Sequence, residues 1–142
     1  MRRMLRRLMS LEGSAAGASH DALAYLRSAK EVCGYGVHGT DDGIGSVVDF
    51  LVDDVTWAIR YLIVDTGHWG WGQTVLVAAQ WTTRVSPDLH EVFVDVDRDA
   101  IRTSPPWDEM PDLDRAYEER LYGHYHRAGY WRVDSPAGLA IA

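Results

Sequence analysis

The sequence predicts a small, mainly antiparallel β-barrel of about six strands with one C-terminal α-helix. Three observations lead there. Over residues 48–64, Val48, Phe50 and Val52 alternate with Asp49, Leu51 and Asp53, and Trp57, Ile59, Tyr61 and Ile63 alternate with Ala58, Arg60, Leu62 and Val64. That period of two, rich in β-branched and aromatic residues, marks half-buried strands. Further short apolar runs follow at close spacing with Gly and Asp at their corners, and Leu113, Tyr117, Leu121 and Tyr125 repeat at the four-residue spacing of one helix face.

In chain order, residues 1–22 read as a flexible basic tail, with Arg2, Arg3, Arg6 and Arg7 ahead of a Gly/Ala/Ser stretch. A secretory signal needs an apolar core of roughly 7–15 residues, and Glu12 and Gly13 interrupt the run here. The domain spans 23–132. Ser28 is placed to cap a one-turn helix, with Glu31 as its capping-box partner and Gly34 as the stop. Residues 35–40 read as a strand, Asp42-Gly43 as a hairpin turn, and 47–53 and 57–65 as a second hairpin turned at 53–56. Residues 66–73 form a glycine-rich loop carrying Trp69 and Trp71. Strands at 74–78, 81–86 and 91–97 complete the set, the last two joined across Pro87-Asp88.

Asp97 is placed to cap a short helix over 98–102, stopped by Ser104-Pro105-Pro106. Asp112 or Asp114 can cap the C-terminal helix at about 112–124. Its apolar stripe of Leu113, Tyr117, Leu121 and Tyr125 lies opposite Glu118, Glu119 and Arg120. The stripe must dock on its own barrel or on another subunit. Residues 133–142 read as a loose tail.

Composition narrows the function. A chain of 142 residues is long enough for a core that needs no metal or disulfide staple. No apolar run approaches the ~20 residues of a membrane-spanning helix, so the chain is read as soluble and cytoplasmic. Cys33 is the single cysteine and cannot form an internal disulfide. The net charge is −7, and with four arginines at the extreme N-terminus everything after them carries −11. An acidic body repels nucleic acid, so direct nucleic-acid binding is not expected. Six Trp and seven Tyr suggest a contact surface.

The reactive residues do not assemble a catalytic pattern. Asp41, Asp42, Asp53 and Asp54 sit at predicted corners, where Asp bonds backbone amides. His124 and His126 point to different faces of a helix. Asp65 and His68 would make half of a weak metal site, with no third ligand nearby. Cys33 lacks a catalytic setting, and the glycines at 34, 36 and 39 match no phosphate-binding fingerprint. The expectation is therefore no enzyme, no cofactor and no metal. Trp69 and Trp71, with the adjoining His68, are the candidate partner contact, because Trp is favoured at interface hot spots.

The wording of residues 50–66, FLVDDVTWAIRYLIVDT, with LRSAKEVCGYGVHGTDDGIG at 26–45 and VLVAAQW at 75–81, resembles the PRC-barrel family over about 25–131. That family includes the cytoplasmic domain of the photosynthetic reaction-centre heavy subunit and the C-terminal domain of a ribosome maturation factor. The chain departs from the family at Gln73 and at Ala78-Ala79-Gln80, where a basic residue and a Ser-Pro are common. Its ending, through Tyr117-Glu118-Glu119-Arg120-Leu121-Tyr122 and Gly129-Tyr130-Trp131, is similar to that of stand-alone bacterial members. The resemblance implies a non-catalytic scaffold or adaptor for protein partners, expected as a homodimer. One alternative is a regulatory component of a membrane-bound electron-transfer complex, with Arg2, Arg3, Arg6 and Arg7 at the membrane face and carboxylates such as Asp65 as proton relays. Another is a small-ligand or metal-binding module around Asp65, His68 and Trp69.

Overall fold

A computed structural model describes residues 5–10, 19–67, 73–107 and 113–133. The chain is mainly β. Strands β1 (Leu5–Arg7), β2 (Gly36–His38), β3 (Gly43–Asp53), β4 (Ile59–Asp65), β5 (Thr74–Ala78), β6 (Thr82–Ser86) and β7 (Glu91–Val94) form one seven-stranded sheet. Helices α1 (His20–Val32), α2 (Arg98–Arg102), α3 (Arg115–His124) and α4 (Tyr130–Val133) accompany it.

The strand path runs β5-β4-β3-β2-β7-β6, with β1 added to β3. Two features correct the expected antiparallel barrel. β2 and β7 run parallel, aligning Val37 with Val92. The ends of the path, β5 and β6, do not pair with each other, so the sheet is not closed. These two strands are consecutive, but a 3-10 turn at Ala79–Trp81 joins them in place of a tight hairpin. Trp81 lies 4% exposed, its ring 5.2 Å from Tyr122 and 4.6 Å from Tyr125. Burying that indole against α3 sets the direction of the turn, and strand geometry resumes only at Thr82.

β3 is the backbone of the fold. It is 11 residues long, whereas β2 pairs only with its first part, Gly43–Ser46. The free edge beyond is taken by β1, which aligns Leu5, Arg6 and Arg7 with Asp53, Val52 and Leu51. Residues 5–7 are thus part of the sheet, where a flexible tail was expected. α1 also begins inside the expected tail and runs 13 residues instead of one turn. Ser28 is mid-helix, its hydroxyl donating to the Ala24 carbonyl at 3.2 Å, and caps nothing.

Alternation along 48–53 fails as a guide to faces. A bulge between Val47 and Asp49 shifts the register against β4. Val48 is 40% exposed, while Asp49 and Asp53 are fully buried. Trp57, expected within the second strand, sits in the turn at φ 61°. At Gly45 the sheet backbone closes in so tightly that a Cβ would stand 2.2 Å from the Asp65 carbonyl oxygen.

Local turn and cap chemistry follows expectation. Asp53 accepts from the amides of Val55 and Thr56, and Asp42 accepts from Gly43. Asp97 caps α2 by accepting from Ala100, and Asp114 caps α3 by accepting from Tyr117.

Asp49 explains why β1 stays in place. Its carboxylate accepts from Arg7 Nε at 2.8 Å, from the Met9 amide at 3.1 Å and from the Phe50 amide at 2.8 Å. A buried carboxylate needs such donors, and two of the three come from the N-terminal segment. Asp49→Ala is expected to destabilise the protein by about 2–3 kcal/mol and to release β1. Urea unfolding with hydrogen exchange at the Met9 amide checks this; an unchanged midpoint and full protection would refute it.

Candidate functional site

The predicted contact residues His68, Trp69 and Trp71 lie outside the described residues, as do Arg2 and Arg3. The two described tail arginines have intramolecular carboxylate partners: Arg6 Nε lies 3.1 Å from Asp54, and Arg7 Nε 2.8 Å from Asp49. Asp65 accepts from the Gly67 amide at 2.8 Å. Cys33 is half-buried, its thiol raised chiefly by burial and then by Asp49, against the opposing charge of Lys30. Among the described residues no three or more His, Cys, Asp or Glu side chains gather at metal-binding distance. No described helix is long and apolar enough to cross a membrane.

The α3 stripe docks on its own chain, but with a rotated face. The buried residues are Glu118, Leu121, Tyr122 and Tyr125, whereas Leu113 and Tyr117 are only half-buried. That set follows the i, i+3, i+4, i+7 spacing of a packed helix face. Glu118, assigned by sequence to the solvent side, is 4% exposed. It is tolerated because the Tyr61 hydroxyl donates to it at 2.5 Å and Arg115 Nε at 3.3 Å. Tyr117 instead ties the helix to the preceding loop, donating to the carbonyls of Pro105 and Pro106. The signal for the true face was the apolar character of Tyr122 beside Leu121.

An aromatic cluster surrounds Glu118. Tyr61 lies 6.3 Å from the rings of both Tyr122 and Tyr130. The Arg60 guanidinium is 4.2 Å above the Tyr130 ring, and Arg115 is 4.2 Å above Trp131. Burial, with smaller contributions from Tyr122 and Glu118, drives the Tyr61 hydroxyl far above its ordinary range. Tyr122 and Tyr130 are raised by burial first and by Glu118 as well. Tyr125 and Tyr117 are pushed up to about 12, again chiefly by burial. These phenols stay protonated at neutral pH; Tyr61 and Tyr117 donate hydrogen bonds, and the other rings fill space. The cluster is a structural lock of α3 onto β4.

The two ends of the sheet differ. On β5, Val75, Leu76, Val77 and Ala78 are fully buried, and the Trp107 amide bonds the Thr74 carbonyl at 2.9 Å. Gln73 also reaches the Arg102 carbonyl at 3.3 Å. On β6, the outer strand, Thr83, Arg84 and Val85 are exposed, and β7 is its sole ladder partner among the described strands. The Arg84 guanidinium lies 4.4 Å over the Phe93 ring of β7. An apolar cavity opens beneath α1, lined also by residues of β3, β4, β6 and β7. Among the described residues, this end of the molecule offers an open backbone edge beside an apolar hollow. Nothing in the sequence marked β6 as an edge, because its neighbours are set by long-range pairing.

No protein-family model matches the chain, and no curated protein matches it.

Proposed function

We propose that this protein is a non-catalytic interaction module that takes an extended segment of a protein partner along the free edge of β6. The observation that carries it is the outer edge of β6, which among the described residues pairs only through β7. Native sheets normally blunt or cover such edges, and strand addition to an open edge is a recurrent mode of peptide recognition. A scaffold or adaptor of the PRC-barrel kind is part of the proposal. Its support is the wording of 26–45, 50–66 and 75–81, together with the sheet that β2, β3, β4 and β5 form within that region.

Charge selects the partner. Two β6 strands pairing antiparallel about Arg84 would set like charges directly opposite, which is unfavourable. A heterologous segment with an acidic residue facing Arg84 fits better than a second copy. Leu121 and Tyr125 of the helix stripe are buried within the single chain, which favours a heterologous partner over a seam built on that stripe.

The test is affinity co-purification from the native host, comparing wild type with Arg84→Glu, alongside light scattering of the purified chain. Arg84 is exposed, so the variant keeps its fold to within about 1 kcal/mol. Retention of a specific partner is expected to fall about tenfold or more, equivalent to about 1.4 kcal/mol. Equal retention by both proteins would remove β6 as the contact. A stable dimer broken by Arg84→Glu would make the second copy the occupant.

A further inference from the structure

The cavity beneath α1 is independent of any partner edge. It measures about 290 Å³ and is lined by Ser28 and Ala29 of α1, Phe50 of β3, Leu62 of β4, and Thr82 and Val85 of β6, with other apolar residues between them. The described side chains that face it from α1 and β6, Ser28, Ala29, Thr82 and Val85, are short. Deeper in the core, Leu76, Ile63 and Ile44 are at most 1% exposed.

Its chemistry is one-sided. Among the described residues no charged one lines it, and the sole polar side chains there are the hydroxyls of Ser28 and Thr82. Ser28 already donates its proton to Ala24, so it can only accept from a guest. An ion entering here would shed its hydration without a counter-charge. An apolar guest loses little, and an apolar cavity of ~150 Å³ is large enough to bind benzene. A hollow of about 290 Å³, about twice that size, fits two fused rings. Small-molecule sites are typically apolar hollows with a few polar groups that fix orientation.

We propose that this cavity is a binding site for a neutral, apolar small molecule of bicyclic size, with Ser28 and Thr82 as its polar contacts. The guest sits against α1, β3, β4 and β6 together. This site stands on the cavity alone and does not depend on strand addition at β6.

The test is a titration of the full chain with indole, followed by amide chemical shifts. Saturable one-to-one shifts centred on Ala29, Phe50, Leu62 and Val85 are expected. Indole-3-acetate, with the same rings and a carboxylate, should bind at least tenfold more weakly, equivalent to about 1.4 kcal/mol. Two filling variants, Ala29→Leu from the helix side and Val85→Phe from the strand side, should each abolish the shifts. Ala29→Leu should also raise Tm, because it fills a void. Non-saturating or scattered shifts, equal binding of indole-3-acetate, or undiminished binding by a folded filling variant would each overturn the proposal. Loss of a protein partner on filling, with no indole bound by wild type, would also overturn it and assign the hollow to a partner's side chain.

Discussion

Raising the pH above about 10 is expected to unfold this protein abruptly, with its tyrosines ionising in the same step. Tyr61, Tyr122, Tyr125 and Tyr130 are buried, and each is raised above the ordinary value of 10.0. A phenol whose folded-state pKa is raised keeps its proton longer in the native chain than in the unfolded one. The unfolded state therefore binds fewer protons above pH ~10, and stability falls as pH rises. Each such group removes up to about 1.4 kcal/mol per pH unit, so four remove about 5–6 kcal/mol per unit. A domain of this size holds about 5–15 kcal/mol in all. The transition should therefore fall between pH 10 and 12, before Tyr125, pushed up to about 12, ceases to contribute. Below pH 10 these four groups add no pH dependence. Far-ultraviolet circular dichroism and tyrosinate absorbance, recorded together, check this. Smooth ionisation near pH 10 with the sheet intact would show that the cluster is open to solvent.

Glu118→Ala is expected to cost about 3 kcal/mol, near the lower end for breaking a buried charge interaction. The carboxylate accepts from Tyr61 and Arg115, and its loss leaves the Tyr61 hydroxyl buried without its acceptor. Arg115 is 45% exposed on its side chain and regains water, so it adds little to the cost. Tyr61→Phe should cost less, about 1.5–2 kcal/mol, because it leaves Glu118 with Arg115. Denaturant unfolding of both single variants and the double variant isolates the shared term, expected at about 1–2 kcal/mol. Additive effects would mean that the hydroxyl and the carboxylate act independently.

Much of the local structure was legible in the sequence. Asp97 and Asp114 cap their helices, Asp42-Gly43 turns the first hairpin, and Asp53 organises the second turn. Each depends on a side chain reaching an amide within three residues, which spacing alone displays. The faces of β3 were less legible. A bulge at 47–49 turns Val48 outward and leaves Asp49 through Asp53 all buried, and a bulge is a feature of pairing with β4. Glu118 went unrecognised for a related reason: a carboxylate is buried only if donors arrive from elsewhere, and Tyr61 lies 57 positions away in the chain. The candidate edge and cavity were invisible until β6 had a place in the sheet.

By itself, then, the sequence determined that the chain is mainly β, where its turns and caps fall, and that one amphipathic helix follows the strands. Period-two alternation, Asp and Gly chemistry and four-residue spacing are short-range properties written along the chain. The tertiary structure alone decided that β2 pairs parallel to β7, that β1 completes β3, that β5 and β6 stay apart, and that Asp49 and Glu118 are buried. Those outcomes come from competition for a limited sheet edge and for burial in one shared core. The energy of each contact depends on partners many residues away, and no local pattern contains that information.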